Sequence, residues 1–193
     1  MHDTLISFIQ GHATTPLTEQ EIAVVKELFV PRKYRKGQFF LQEGEICKNY
    51  GFIVNGAMRQ YAVDEKGTEN ILGLQIENWW CGDRDSYFKE QPSIYNIDAW
   101  ENSELLLISK ENIDRMVAIP AFIEMRIKLD DNHSIANQKR LLCHIGASAE
   151  KRYENFLQHY PQFLERFPLR MIASFLGITK ETLSRIRRHA GNS

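Results

Sequence analysis

The last 28 residues, RFPLRMIASFLGITKETLSRIRRHAGNS, constrain the fold more than any other part of the chain. Small or apolar residues recur there at helical spacing: Ile172, Ala173, Leu176, Leu183 and Ile186. Gly177 separates them where a residue free to adopt positive φ ends a helix, and Thr179 can cap a second helix from Lys180. Two short helices joined in this way are a known means of placing one helix in the major groove of DNA.

The charge distribution supports a nucleic-acid partner. Residues 166–193 hold six Lys or Arg and one acidic residue, a net charge of +5, whereas residues 1–165 hold 18 and 24, a net charge of −6. A basic helix attracts phosphates and releases their counterions, so binding is strongest at low salt. The neutral average of the chain therefore conceals a basic end on an acidic body.

Composition limits the class of the remaining chain. The 193 residues are 43% hydrophobic and 25% charged, which is typical of a soluble globular protein. No apolar run approaches ~20 residues, and the start MHDTLISFIQGH lacks a signal peptide pattern, so we expect no membrane association. The cysteines, Cys47, Cys81 and Cys143, are odd in number and far apart, which indicates a reducing, cytoplasmic location.

The first half of the chain changes from helical to strand patterns. Leu5, Phe8 and Ile9 share a helix face, and TEQE at 18–21 is a capping box that opens a second helix, which Pro31 stops. From Tyr34 to Ser109, short apolar runs alternate with glycine-bearing turns. About eight strands are expected, among them 39–41, 50–54, 58–63, 71–75, 94–100 and 105–108. Such spacing predicts a small β-sandwich or jelly-roll barrel.

Helices follow the predicted roll. Ser109 is expected to cap the helix SKENIDRMVA, and residues 121–144 contain neither Pro nor Gly, which predicts a helix of ~24 residues. An imperfect heptad along it favours a dimer seam over packing on the chain's own roll: Phe122, Met125, Leu129, Asn132, Ala136, Lys139 and Cys143. A further helix, SAEKRYENFLQHYP, precedes the helix-turn-helix.

This order, together with the segments KGQFFLQEGE, IVNGAMRQY, ELLLISKENID and IASFLGITKETLSRIRR, resembles the Crp/Fnr family, in the compact form common in Bacteroidetes. The resemblance implies an α+β fold with a sensor roll and flanking helices in 1–115, a dimerisation helix in 116–145 and a DNA-binding domain in 146–193. It also implies a homodimer that binds two half-sites of double-stranded DNA and controls transcription with RNA polymerase.

The resemblance assigns the DNA contacts by position. Lys180, Glu181 and Arg185 match the family's base-reading residues, since Arg can bridge guanine O6 and N7 and Glu can accept from cytosine N4. Thr179, Thr182 and Arg188 are expected on phosphates, which position the protein without specifying sequence. Lys180 departs from the Arg often found there, and the wing strands that often follow this helix in the family are not expected.

The effector pocket departs further from the family pattern. Family members that bind cyclic nucleotides hold the ribose with a Gly-Glu pair and the phosphate with an Arg-Ser/Thr pair. Gly82 and Asp83 stand at the first pair, and Ser93 and Ile94 at the second, without an arginine. A buried phosphate without that cation is poorly compensated, so cAMP is not expected, unless Arg84 or Arg59 substitutes.

Other effectors and other functions stay open at this point. Trp79, Trp80 and Trp100 either line an apolar pocket or form plain roll core, and no cysteine cluster for an iron–sulfur centre is present. A cupin-like enzyme would need clustered histidines, but all six lie outside the roll: His2, His12, His133, His144, His159 and His189. We expect no catalytic residues and no metal site. A ligand-sensing or protein-interaction module without DNA binding is the other alternative.

Overall fold

A computed structural model describes residues 1–190 and begins with two helices that cover the roll. α1 spans His2–His12 and α2 spans Glu19–Leu28. The predicted capping box is confirmed, because the Thr18 hydroxyl accepts from the Glu21 amide while the Glu21 carboxylate accepts from the Thr18 amide. α2 therefore begins where the Thr18 hydroxyl satisfies one of its first free backbone amides.

The roll consists of two four-stranded antiparallel sheets, in the orders β1-β8-β3-β6 and β2-β7-β4-β5. The eight strands are β1 Val30–Tyr34, β2 Phe39–Leu41, β3 Asn49–Asn55, β4 Met58–Val63, β5 Glu69–Gln75, β6 Trp80–Cys81, β7 Asn96–Ala99 and β8 Ser103–Ser109. The predicted jelly-roll class is confirmed, and β2 and β4 have the predicted bounds. β1 was not predicted, because Pro31 was interpreted only as a helix stop. Pro31 is tolerated because β1 is an edge strand.

Alternation along the strands divides the core into layers. In β3, Phe52 packs toward α1 and the long helix, whereas the next residue, Ile53, packs between the two sheets. Successive strand residues point to opposite faces, so one sheet can bury both of its sides. A third cluster joins the outer face of the β4–β5 sheet, through Tyr61 and Ile71, to the C-terminal helices.

Within the roll, the short helix α3 (Arg84–Lys89) lies between β6 and β7. After the roll, α4 (Lys110–Val117) and the long helix α5 (Pro120–Gly146) lead to the C-terminal part. The long helix was predicted correctly, with Pro120 at its first turn. Ser109 stands at the N-cap of α4, as expected, but its side chain makes no capping hydrogen bond.

The chain's own core occupies only the first part of the predicted seam on α5. Phe122 and Met125 are buried in that core, where Phe122 contacts Phe29 and Trp80, and Leu129 packs against the same cluster. At about 100° per residue, Asn132, Ala136, Lys139 and Cys143 lie on the same side of the helix, but Asn132, Ala136 and Lys139 are exposed. Phe122 and Met125 are therefore not available to a partner, whereas a seam along the later positions stays a prediction.

Four helices complete the chain: α6 Ala149–His159, α7 Phe163–Arg166, α8 Leu169–Phe175 and α9 Lys180–Ala190. Ser148 caps α6 by accepting from the Lys151 amide. The short α7 was not predicted. Among residues 1–190, no helix has both the length and the apolar character needed to cross a bilayer.

Candidate functional site

The predicted helix-turn-helix is present as α8, a tight turn and α9. Ala173 and Leu183 are buried between the two helices, where a small residue permits close approach. Gly177 has φ +65°, and the Ile178 amide donates to the Ala173 carbonyl at 3.0 Å. A Cβ on Gly177 would lie only 3.1 Å from the His144 ring, so both the backbone angle and the space favour glycine here. The turn therefore has a defined shape.

Thr179 caps α9 as predicted. Its hydroxyl accepts from the Thr182 amide at 3.2 Å and lies 3.0 Å from the Thr182 hydroxyl. Both hydroxyls sit at the N-terminal end of α9, where backbone dipoles favour an anion such as phosphate. This placement is compatible with the phosphate contacts expected for the two threonines.

The charged side chains of α9 form the recognition face, which we define as Lys180, Glu181, Arg185 and Arg188. All four are exposed, whereas Leu183 and Ile186 on the opposite side are buried. Within residues 1–190, no salt bridge involves Lys180, Arg185 or Arg188. Glu150 lies near enough to Arg185 to contribute to the lowered pKa of the Glu150 carboxyl, whose main cause is backbone hydrogen bonding.

Arg152 supports the turn and was missed by the sequence interpretation. Its Nη1 donates to the carbonyls of Leu176 at 3.1 Å and Gly177 at 3.4 Å, and its Nε donates to the Ala147 carbonyl at 3.3 Å. A cation at the C-terminal end of α8 is favourable for the helix dipole. Arg152 therefore joins the turn to the α5–α6 connection, a contact that spacing alone does not reveal.

An exposed apolar stripe runs along α5, opposite the face buried by the chain's own core. Ile127, Ile135 and Leu142 are 55%, 50% and 71% exposed, and Ile145 is 77% exposed. By helix geometry the stripe centre lies about 155° from the face carrying Phe122 and Met125. Successive members are eight, seven and three residues apart, which keeps them on one side of α5 and suits a helix–helix seam. We call these four residues the α5 stripe.

The residues at the effector position come together but face inward. The Asp83 carboxylate accepts from the amides of Asp85 at 3.0 Å and Ser86 at 3.3 Å, and from the Ser93 hydroxyl at 2.6 Å. Asp83 and Ser93 are buried, whereas Ile94 is 66% exposed and does not join them. Asp83 thus acts as the N-cap of α3 and as an anchor for the 91–95 turn.

The space beside Gly82 is filled by aromatic rings. A Cβ on Gly82, whose φ is +151°, would lie 2.6 Å from the Tyr50 ring, so the ring packs directly on the glycine backbone. Tyr50 in turn contacts Trp80 and Tyr87, with ring centroids 6.4 and 5.5 Å apart. Burial raises the pKa of Tyr50 well above its ordinary range. These contacts leave the pair Gly82–Asp83 covered by the chain itself.

The two candidate substitute arginines are engaged elsewhere. Arg84 donates two hydrogen bonds to Asp130 on α5, at 2.6 and 2.8 Å. Arg59 pairs with the buried Asp98 at 2.8 Å and with Glu69, on the outer face of the β4–β5 sheet. Neither guanidinium is available to a phosphate at Ser93 without breaking an ion pair.

Comparison with known proteins agrees with this architecture. Residues 31–119 match the family model described as a cyclic nucleotide-binding domain. The fumarate and nitrate reduction regulatory protein of Vibrio cholerae is 26% identical over 183 residues, covering 88% of this chain and 72% of that protein. Its counterpart in Escherichia coli K12 is similar to the same extent. By sequence, the chain is therefore similar to regulatory proteins of this kind.

Two solved structures have a similar fold. FixK2 from Bradyrhizobium japonicum has a TM-score of 0.72 at 17% identity, over 85% of each chain. A CooA variant from Carboxydothermus hydrogenoformans has a TM-score of 0.73 at 17% identity, over 87% of this chain and 78% of that one. At such identities the likeness establishes the fold, a β-roll followed by a long helix and a helix-turn-helix.

The tryptophans and the two surface cavities do not form a pocket around Gly82, Asp83 and Ser93. Trp80 is part of the core beside Phe52, whereas Trp79 and Trp100 contact the C-terminal helices. Two surface cavities of about 480 and 430 Å³ share Tyr34 and Asn49 near the edge strand β1. Neither cavity is lined by Gly82, Asp83 or Ser93.

Proposed function

We propose that this chain is a regulator of the Crp/Fnr type: a homodimeric, sequence-specific DNA-binding transcriptional regulator whose DNA binding does not require a cyclic nucleotide. The observation that carries the proposal is the recognition face, four exposed charged side chains on a helix held rigidly by its buried side. In this function, Lys180, Glu181 and Arg185 read base edges, while Thr179, Thr182 and Arg188 bind phosphates.

The dimer is proposed to form through the α5 stripe. Four large aliphatic side chains at least half exposed on one helix face favour burial against an equivalent face. A second copy satisfies this need with two-fold symmetry, which a pair of half-sites requires. RNA polymerase is the expected protein partner in the cytoplasm.

The alternatives have less support. A sensing module without DNA binding gives no role to the recognition face. For an enzyme, the histidines lie outside the roll strands, and residues 1–190 hold no group of three or more His, Cys, Asp or Glu that could bind a metal. The relatives found by comparison are regulators.

A random-site selection with purified full-length protein tests the function. We expect enriched duplexes with two related half-sites, and an affinity that falls steeply as salt rises. Thr179→Ala should weaken binding to all sequences similarly, because its hydroxyl is proposed to contact phosphate. If no duplex were enriched and no salt-sensitive binding occurred, the proposed function would be wrong.

A thermal shift panel tests the effector part. We expect cAMP and other cyclic nucleotides to leave the melting temperature of the protein unchanged, since a ligand stabilises only a state that it binds. A concentration-dependent rise in melting temperature with cAMP would contradict the proposal.

A further inference from the structure

Arg166 connects the helix-turn-helix unit to the roll. It is the last residue of α7, and Nε and Nη2 donate to Glu101 Oε1 and Oε2 at 2.8 and 2.7 Å. Nη1 and Nη2 also donate to Glu77 Oε2 and Oε1, both at 3.1 Å. The Trp100 indole then donates to the Arg166 carbonyl at 2.9 Å. We call Glu77, Trp100, Glu101 and Arg166 the clasp.

The clasp is stronger than an ordinary surface ion pair. A planar guanidinium that binds two carboxylates in bidentate fashion gains geometry and charge together, and its side chain is only 28% exposed. Glu77 Oε1 also accepts from the Gly56 amide at 2.8 Å, so the acceptor is itself held in place. Without Arg166, two carboxylates would face each other uncompensated.

A second contact lies beside the clasp, on the edge strand β5. The register shifts where Gln60 pairs with Gly73 and Tyr61 with Ile71, so Leu72 forms a bulge. Ser174 on α8 accepts from the Ile71 amide at 2.9 Å, and Arg140 on α5 donates to the Leu72 carbonyl at 2.8 Å. The bulge thus exposes backbone groups that α8 and α5 satisfy.

The clasp and the contacts at β5 restrict rotation between the roll and the helix-turn-helix. The covalent connection between roll and helix-turn-helix runs through α5 and the extended residues Ala147 and Ser148. One such connection alone permits rotation. The apolar cluster on β4 and β5 attaches the helices to the roll a second time, and the directional hydrogen bonds of Arg166 set the direction of α9. Neither the recognition face nor the α5 stripe is covered by the clasp, so both surfaces needed for DNA binding stay accessible.

We propose that Arg166 is a positioning residue for DNA recognition: through the clasp it fixes the angle of α9 relative to α5 without an effector. Because two copies of α5 would form the dimer, this angle sets the spacing between the two half-sites. The inference rests on the proposed function.

The test compares wild type with Arg166→Gln on duplexes that hold the selected half-sites at stepwise spacings. Wild type should prefer one spacing, whereas Arg166→Gln should bind that spacing about tenfold more weakly and discriminate less between spacings. Binding to a single half-site should stay unchanged, because the recognition face is intact. Arg166→Lys, which retains the charge but not the bidentate geometry, should be intermediate.

Arg115→Gln is the matched control. Arg115 forms a single, more exposed ion pair with Glu27, between α4 and α2, far along the chain from the helix-turn-helix. The same chemical change should therefore leave the spacing preference as in wild type.

A spectroscopic distance measurement separates this inference from the proposed function. Spin labels at Glu43→Cys in the roll and Gln158→Cys in α6, in a Cys143→Ser background, should give a narrow distance distribution that broadens in Arg166→Gln.

Wild type that bound no duplex would refute the proposed function. Wild type that bound DNA, with an Arg166→Gln variant of unchanged spacing preference, would refute the clasp alone. Tighter binding of the variant to the full site, or equal loss on single half-sites, would also overturn it.

Discussion

The effector position and the recognition face use similar side chains in opposite ways. At the effector position, the Asp83 carboxylate accepts three hydrogen bonds from its own chain and is 5% exposed. On α9, Lys180, Arg185 and Arg188 are exposed and form no salt bridge with described residues. A polar group satisfied internally stabilises the fold, whereas one left to solvent can bind a partner. This difference is what we expect if the chain binds DNA through α9 while the residues at the effector position stabilise the fold.

The largest effect on DNA affinity is expected from the α5 stripe, whose apolar side chains are exposed in the single chain. Leu142→Glu should convert the dimer to a monomer and reduce affinity for a two-half-site duplex by about 100-fold or more, since bivalent binding is lost. Sedimentation and fluorescence anisotropy measure the two effects. Asn132→Glu, at an exposed position on the side of α5 that carries Phe122 and Met125, is the control and should leave both unchanged. The opposite result, with dimer loss only in Asn132→Glu, would support the seam that the heptad pattern favours.

Arg185→Ala should give the next largest effect. Loss of a bidentate guanine contact should cost about 1–3 kcal/mol at one base position and relax specificity there. Arg188→Ala is its control, because a lost phosphate contact weakens all sequences similarly and reduces the salt slope by about one. Binding to variant duplexes at several salt concentrations distinguishes the two. If both substitutions changed specificity at one base position, the division into base and phosphate contacts would be wrong.

Ser93→Ala tests whether the hydrogen bond between Ser93 and Asp83 at the effector position stabilises the fold. The buried Asp83 carboxylate would lose one of its three donors, which should lower the free energy of unfolding by about 1–3 kcal/mol. Denaturant unfolding measures this loss, and the exposed Ser7→Ala on α1 provides the control. DNA affinity should not change. Reduced DNA affinity with undiminished stability would show that Ser93 serves signalling rather than folding.

The smallest effect is expected from pH, at Glu77. Burial opposes ionisation of this carboxyl, but hydrogen bonds from Arg166 and from backbone amides outweigh it, so its pKa lies below the ordinary 4.5. A depressed acid pKa stabilises the folded contact above the unfolded pKa, and this stabilisation is lost as pH falls through the folded value. The groups facing Glu77 are Arg166, which stays charged, and Glu101.

The clasp should therefore be unchanged between about pH 6 and 8 and should loosen only below about pH 4.5. The label distance between positions 43 and 158 measures this loosening. In Arg166→Gln the distribution should be broad at every pH. Loosening of wild type near neutral pH would contradict the assignment to Glu77.

Local sequence patterns were sufficient to predict most of the secondary structure, including the recognition helix α9. The α2 capping box, the length of α5 and the turn at Gly177 depend on residues within a few positions of one another, so periodicity and capping chemistry predict them. β6 and α3 were missed because their segments are too short to show a period.

A β-roll followed by a basic helix-turn-helix could thus be predicted from local residue spacing, because both depend on residues that are close together along the chain. The buried face of α5 and the hydrogen bond between Ser93 and Asp83 depend instead on how distant elements pack in the folded chain. The tertiary structure also brought Arg166 to Glu77 and Glu101, 89 and 65 residues away along the chain. Such pairings follow from how sheets and helices pack in three dimensions, and no local pattern encodes them.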